Sequence, residues 1–295
     1  MSKAAPPRLL LDYLTLAAEH LGGKGVDSAR LDAELLLASV LGMSRVQLYT
    51  NYDRPLAKEE VDRFRDLLRR RAMREPVAYI LGRREFWSLE LEVDRRVLIP
   101  RPETETLVEA ALKALGALRP VDGSGLRVLD VGTGSGAIAV ALAVEFPQTR
   151  VVATDLTAAA LEVAPRNAVR HGVADRIEFR QGDLFDALVP GEVFDVMVSN
   201  PPYCRASELR EMDPEVREWE PVGALVSGPD GMDVTERLVA RAPEFLREDG
   251  FLLIEVGTQA AAARDLLARN DWQEIRLLAD LAGRSRVLVA RPPAD

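Results

Sequence analysis

Two short stretches of this 295-residue chain combine residue types that can do chemistry. The first is Asn200-Pro201-Pro202-Tyr203, which follows residues 193–199, an apolar run of the kind that forms a buried strand. Two consecutive prolines have no N–H for a sheet ladder and fix an extended turn. That leaves the Pro201 carbonyl and the Asn200 side-chain oxygen as neighbouring acceptors. Two acceptors side by side suit a substrate –NH2, because both hydrogens are held while the nitrogen lone pair faces an electrophile. A sulfonium methyl is such an electrophile. An amide or amino nitrogen is a weak nucleophile, so the pocket must orient it and stabilise the positive charge growing on it. The ring face of Tyr203 can add to that stabilisation. No general base is required, since the methylated nitrogen becomes acidic and loses its proton. The alternative is a strand-ending turn without chemistry, which any Asn-Pro pair can form.

The second stretch is Gly132-Thr133-Gly134-Ser135-Gly136, between a strand-like run at 127–131 and a helical stretch from Ala137. Glycines at such a turn let a backbone approach a ligand closely. Asp155 ends the next strand-like run, where a carboxylate can accept both ribose hydroxyls. Gly132, Gly134 and Ala137 also satisfy the dinucleotide pattern G-x-G-x-x-G/A, so the loop alone fits a nicotinamide cofactor as well as S-adenosylmethionine. Asp130 tilts the balance: a carboxylate there can face the positive end of a methionyl group and would repel a pyrophosphate. Asp183, before Leu184, either accepts from an adenine amino group or caps a helix over 184–188.

These residues need elements to position them. Apolar residues recur at three- and four-residue spacing from Arg8 to Arg74, with breaks at 22–25, 42–44 and 51–55, which predicts four or five short helices ending near Gly82. Residues 85–99 alternate apolar and polar side chains around Asp94-Arg95-Arg96, which predicts a β-hairpin turning there. Pro100-Arg101-Pro102 makes a stiff link into a helix beginning at 103–105. Beyond Gly123-Ser124-Gly125, strand-like and helical runs alternate, the pattern of a parallel α/β sheet. A closing pair at 273–279 and 285–291, with Gly283 between, reads as an antiparallel edge. The domains expected are residues 1–84 (helical, substrate recognition), 85–99 (hairpin link) and 100–295 (catalytic).

Composition narrows the chemistry. Apolar residues make up 47% of the chain, ample for a buried core, and the formal net charge is −9. Residues 1–85 carry 15 Lys/Arg against 12 Asp/Glu, whereas residues 86–295 carry 23 against 35, a net of −12. An acidic surface is wrong for gripping a nucleic-acid backbone, so direct nucleic-acid binding is not expected. The single cysteine, Cys204, and an N-terminus without signal-peptide features fit a reducing cytoplasm. No apolar run reaches the roughly 20 residues that cross a bilayer, so no membrane association is expected. Two histidines, His20 and His171, and one cysteine provide no zinc spacing and no nucleophile–base pair, and no metal is expected. Cys204 reads as a packed thiol. Arg101 and Glu103, beside the pocket, either touch a substrate or cofactor or form an interdomain ion pair. The arginines at 63, 65, 69–71 and 74 read as a solvated basic face, or as one that meets an acidic face of a protein partner or touches RNA.

Asn200-Pro201-Pro202-Tyr203 after a strand, with the 130–136 glycine motif upstream, resembles the class I S-adenosylmethionine-dependent methyltransferases that modify planar –NH2 groups. Arg30-Leu31-Asp32-Ala33-Glu34, Glu75-Pro76-Val77-Ala78-Tyr79-Ile80-Leu81-Gly82, Glu85-Phe86-Trp87 and Ile99-Pro100-Arg101-Pro102-Glu103-Thr104-Glu105 narrow this. They resemble the HemK/PrmC family, the release factor glutamine methyltransferases, and the likeness covers nearly the whole chain, including residues 220–225. It implies a Rossmann-like α/β fold with a helical N-terminal bundle. It also implies methyl transfer from S-adenosylmethionine, leaving S-adenosylhomocysteine, to the side-chain amide nitrogen of the Gly-Gly-Gln glutamine of class I peptide chain release factors. Carried over by motif, Gly132, Thr133, Gly134, Ser135 and Gly136 hold the methionyl part, Asp155 the ribose, and Asp183 with Leu184 the adenine. Asn200 borders both ligands. Asn200, Pro201, Pro202 and Tyr203 form the glutamine pocket, with Asn200, Pro201 and Tyr203 as the catalytic set. Many relatives carry a larger side chain where Leu184 stands, so weaker adenine stacking is implied. The rival readings are glutamine methylation of a ribosomal protein, amino methylation of a nucleic-acid base, and a non-catalytic binder.

Overall fold

The computed structural model describes residues 8–118 and 125–294. The N-terminal stretch to Pro7 and the Gly123-Ser124 break lie outside them. The chain divides into two compact units: residues 1–82 with 213–219, and residues 83–212 with 220–295.

The first unit contains helices α1 (Leu10–Gly22), α2 (Ala29–Leu41), α3 (Arg45–Thr50), α4 (Lys58–Ala72) and α5 (Val77–Leu81), separated at the three expected breaks. Leu10, Leu14, Leu21, Leu36, Leu37 and Phe64 fill its core. Gly42 ends α2 in the left-handed conformation. Ser44 starts α3 with a capping box, accepting from the Gln47 amide while Gln47 accepts from the Ser44 amide. The basic run on α4 is spent largely on internal pairs. Arg70 binds Glu75, and the buried Arg71 bonds Asp32 at 2.7 Å and Glu215 at 2.7 Å. Glu215, on the short helix α9 (Pro214–Arg217), also takes Arg74, so two arginines hold the 213–219 segment in this unit.

In the second unit a hairpin, β1 (Arg83–Phe86) and β2 (Leu89–Glu92), pairs antiparallel with Phe86 opposite Leu89. It turns at Trp87-Ser88 and not at 94–96. Both turn residues have positive φ, 52° and 57°, as a two-residue hairpin turn demands. The cost of placing a bulky residue there is offset by two bonds from Trp87: its amide donates to Glu105 and its indole to Glu145. Neither Asn nor Gly stands at this turn to announce it.

Helix α6 (Glu105–Leu118) leads to the alternation β3 (Arg127–Val131), α7 (Ala137–Glu145), β4 (Arg150–Asp155), α8 (Ala164–Arg170), β5 (Ile177–Gln181) and β6 (Phe194–Ser199). Helix α10 (Asp233–Arg241), β7 (Leu246–Glu255), α11 (Ala260–Arg269), β8 (Gln273–Ala279) and β9 (Ser285–Arg291) complete it. Strand order is β5-β4-β3-β6-β7-β9-β8, parallel except for β9, which is antiparallel to both β7 and β8. This is the doubly wound α/β sheet with the expected antiparallel edge. Period-two alternation divides the core: Val128 packs with α6 and α7 on one face, Leu129 and Val131 with α10 and α11 on the other. Helix α7 is apolar all round because residues 137–143 are all buried. No helix among the described residues is long and apolar enough to cross a membrane.

Arg71 carries a stability prediction for the helical unit. Replacing it with Met leaves Asp32 and Glu215 without their shared cation, and breaking such a buried pair costs about 3–5 kcal/mol. Urea unfolding followed by circular dichroism should show that loss; an unchanged midpoint would mean that the pairs contribute nothing.

Candidate functional site

Winding in both directions from β3 brings the carboxyl ends of β3, β4 and β6 together, the place where open α/β sheets bind ligands. The Ser199 hydroxyl donates to the Val131 carbonyl at 2.8 Å and ties the last residue of β6 to the last of β3. Both candidate motifs leave the sheet from this point.

The 132–136 loop is held from below. The Gly132 and Thr133 amides both donate to the Thr154 carbonyl at 2.9 Å, and the Gly134 amide donates to Asp155 Oδ2 at 2.9 Å. Asn167 Nδ2 donates to the Ser135 carbonyl. Gly132, Gly134 and Gly136 have φ of 75°, 55° and 80°. A Cβ on Gly132 or Gly134 would meet nothing within 4 Å, so backbone conformation and not crowding selects glycine there. Thr133 and Ser135 are buried, and the Thr133 hydroxyl donates to Asp130 Oδ2 at 2.7 Å. Asp130 itself is fully buried and does not line the cavity above the loop, so the structure does not place it against a ligand there as the sequence suggested. Burial pushes its carboxyl up to about 7, against the pull of the Thr133 hydroxyl.

A cavity of about 240 Å³ opens above the loop. Of the residues singled out by sequence, Gly132, Gly134, Asp155, Asp183, Leu184, Asn200 and Pro202 line it; Thr133, Ser135, Gly136, Pro201 and Tyr203 do not. Asp155 accepts from the Thr157 amide and hydroxyl with its other oxygen, so its carboxylate is fixed at the cavity edge. No helix forms over 184–188, which removes the capping role considered for Asp183. Its carboxylate pairs instead with Arg237 of α10 at 2.7 Å. Leu184 adopts a left-handed backbone (φ 52°), with its carbonyl accepting from the Thr154 hydroxyl. Val97, Leu98, Pro221, Gly223 and Ala224 add wall that sequence reasoning gave no role.

Asn200 Nδ2 donates to the buried Thr104 hydroxyl at 3.2 Å. This commits the amide nitrogen and leaves Oδ1 as the available acceptor. The extended 200–204 segment is a shared wall: Asn200 and Pro202 line the first cavity, while Tyr203 and Cys204 line a second cleft of about 580 Å³ with Glu208, Glu211, Thr258 and Arg286. Cys204 pairs with Val226 as a parallel bridge, its amide donating to the Leu225 carbonyl. The Tyr203 ring packs on Gly257, where an added Cβ would lie 2.8 Å from it. Burial and the nearby Glu255 push the Tyr203 hydroxyl up to about 12, so it stays a neutral phenol. Burial raises the Cys204 thiol, consistent with a packed side chain and not a nucleophile. Arg101 pairs with the buried Glu220 at 2.6 Å, and Glu220 also accepts from the Ile99 amide. The pair lies within the second unit and is not the interdomain pair expected for Arg101. Among the described residues no cluster of His, Cys, Asp and Glu could hold a metal.

Comparison with known proteins agrees with this architecture. The family description "PrmC N-terminal domain" matches residues 12–82, and "Methyltransferase domain" matches residues 122–255. The release factor glutamine methyltransferase of Rhodopirellula baltica is 44% identical over 284 residues, which covers 96% of this chain and 96% of that protein. That of Xylella fastidiosa strain 9a5c is 47% identical over 265 residues, covering 90% and 94%. Among solved structures, the T. thermophilus 16S rRNA N2 methyltransferase RsmC, in complex with AdoMet and guanosine, superposes with a TM-score of 0.51. It covers 71% of this chain and 49% of that one, and at 20% identity it attests the fold alone. The two long, near-complete matches therefore show that this chain belongs to the release factor glutamine methyltransferase family.

Proposed function

We propose that this protein methylates the side-chain amide nitrogen of the glutamine in the Gly-Gly-Gln motif of class I peptide chain release factors, using S-adenosylmethionine. The observation that carries this reading is the Asn200 amide, tethered by its nitrogen to Thr104 with its oxygen left for a substrate N–H. We place the enzyme in the cytoplasm, in keeping with its one unpaired cysteine. Direct nucleic-acid binding is not part of this reading.

The residues at the first cavity suit the cofactor. Gly132 and Gly134 present bare backbone to it, Asp155 offers a fixed carboxylate for ribose hydroxyls, and Leu98, Leu156, Leu184 and Ala224 provide apolar wall for a purine. Thr133, Ser135 and Gly136 act on the cofactor through the loop that they shape. Asp183, already paired with Arg237, keeps acceptor capacity for the adenine amino group. When bound, S-adenosylmethionine supplies the sulfonium methyl as electrophile.

Asn200 Oδ1 and the Pro201 carbonyl accept the two amide hydrogens of the glutamine and so orient its nitrogen lone pair. As the C–N bond forms, positive charge grows on that nitrogen, and these two acceptors stabilise it. Pro202 keeps the turn extended, and the neutral ring of Tyr203 walls the side from which the substrate enters. The acquired acidity of the nitrogen lets its proton leave to water, so no histidine is needed.

Mass spectrometry of unmethylated release factor incubated with the enzyme and labelled S-adenosylmethionine should find one methyl on that glutamine. Asn200→Ala should lower the rate at least about 100-fold while leaving cofactor affinity within about threefold. Full transfer by that variant would sink the role of Asn200. Methylation of a ribosomal protein in preference to release factor would sink the substrate. Asp155→Ala should weaken cofactor binding about 10–100-fold by calorimetry, the scale of losing charged hydrogen bonds. An unchanged affinity would remove Asp155 from the cofactor site.

A further inference from the structure

Resting on the reading of the first cavity as the S-adenosylmethionine site, we infer that Asn167 is a positioning residue for that cofactor. It does not line the cavity, but one amide group joins the glycine loop on one side to the strand that leads into the 96–98 wall on the other.

Asn167 stands in the middle of α8 and is fully buried. A buried amide is costly unless its polar atoms are paired. Here Oδ1 accepts from the Glu92 amide at 2.6 Å, while Nδ2 donates to the Glu92 carbonyl at 3.0 Å and to the Ser135 carbonyl at 2.9 Å. The orientation admits no alternative: a backbone N–H can only donate and the two carbonyls can only accept, so a flipped amide would lose every one of these bonds. The side chain thus pairs with Glu92, the last residue of β2, as a neighbouring strand would, and its remaining hydrogen reaches the glycine loop. Gly136 makes this reach possible. A Cβ on Gly136 would lie 3.1 Å from the Cβ of Ala164, so the first turn of α8 approaches the loop this closely because residue 136 has none. Asn167 follows Ala164 one turn later on the same face.

These bonds act on both sides of the cavity. In the loop, the carbonyl of the 135–136 peptide accepts from Asn167 while its N–H, on Gly136, donates to the Thr133 carbonyl at 2.8 Å. Held at both ends, that peptide plane cannot turn, and it steadies the backbone of Gly134, which lines the cavity one residue earlier. Across the cavity, Glu92 leads into the segment whose Arg96, Val97 and Leu98 form wall. Helix α8 also meets β2 through the ion pairs Arg166–Glu92 and Arg170–Glu90, but these join half-exposed side chains, contribute little, and do not involve the loop. Asn167 joins strand and loop through one planar, buried group. A cofactor that fixes the loop backbone therefore also fixes Glu92, and release of Glu92 loosens the loop. Cofactor affinity then depends on a hairpin strand that does not line the cofactor's cavity.

Calorimetry with S-adenosylhomocysteine on the full-length protein tests this without turnover. Asn167→Asp keeps the shape of the side chain but sets an oxygen against the Ser135 and Glu92 carbonyls. Its affinity should fall about tenfold or more, the scale of leaving a buried carbonyl unpaired. The KM for S-adenosylmethionine should rise by a similar factor, with the KM for release factor within about twofold and kcat at saturating cofactor within about threefold, a split that a general loss of structure would not give. A second measurement needs no variant to fold: in the wild type, NMR-detected hydrogen exchange of the Glu92 amide should slow by about fivefold or more when S-adenosylhomocysteine binds. Unchanged affinity in Asn167→Asp, or a Glu92 amide indifferent to the cofactor, would overturn the inference. Weakened binding in Asp155→Ala alongside unchanged binding in Asn167→Asp would overturn the role of Asn167 alone. Unchanged binding in both variants would overturn the reading of the cavity and the role of Asn167 with it.

Discussion

Side by side in the sheet, β3 and β6 run parallel from Val128 opposite Val196 to Val131 opposite Ser199, and every position of β6 is buried. Parallel strands covered on both faces cannot drift in register, because each step would expose apolar side chains and unpair backbone groups. The residues that follow each strand therefore emerge at a fixed separation. The glycine loop comes from one and the Asn200 turn from the other, and the Ser199–Val131 bond closes the seam at the point of exit. Everything at the site depends on that shared register. On the proposed reading, a ligand group held over Gly134 and a second group held by Asn200 would be brought to a set distance by the sheet, before any side chain acts.

Around this seam the protein buries carboxyl groups at a cost. Asp130, Glu220 and Glu255 are each raised by desolvation, and Asp130 and Glu220 each have a hydrogen bond that draws the group back, from Thr133 and Arg101 respectively. Burying a carboxyl without recompense would lower stability, so their presence near one site is more economically explained by the geometry they impose than by packing. Asp130 fixes Thr133 inside the loop, and Glu220 joins Arg101 and the Ile99 amide, fixing the approach to Thr104.

Much of the fold was legible because burial writes a period into the sequence. The runs 127–131 and 150–155, the edge pair 273–279 and 285–291, and the three helix breaks coincide with the observed elements. The hairpin was placed too late because a turn built on Trp87-Ser88 relies on Glu105 and Glu145, which are distant in sequence, and not on Asn or Gly. At the site, motif residues were visible where the backbone has a special duty, as at Gly132 and Pro202. Thr104 was not, because a threonine before a helix is ordinary until the fold sets it against Asn200. The burial of Asp130 has the same origin: alternation along β3 fixes which way it points, but only the packed loop shows that it is covered.

The arrangement also bears on how the proposed pocket would choose its substrate. A site made of acceptors rewards a group with two hydrogens and penalises one with lone pairs, so glutamine fits where glutamate, differing by one heavy atom, meets oxygen against oxygen. Discrimination of this kind reaches about 10⁴-fold or more, because the mismatched ligand leaves buried polar groups unpaired, whereas a hydrophobic slot of the same shape gains far less. It holds only while Asn200 keeps its oxygen forward. An amide free to turn would present a donor half the time and accept the carboxylate as readily. On the proposed reading, selectivity and turnover would rest on the same hydrogen bond from Asn200 to Thr104, and the chemistry asked of the side chains would reduce to keeping one amide from rotating.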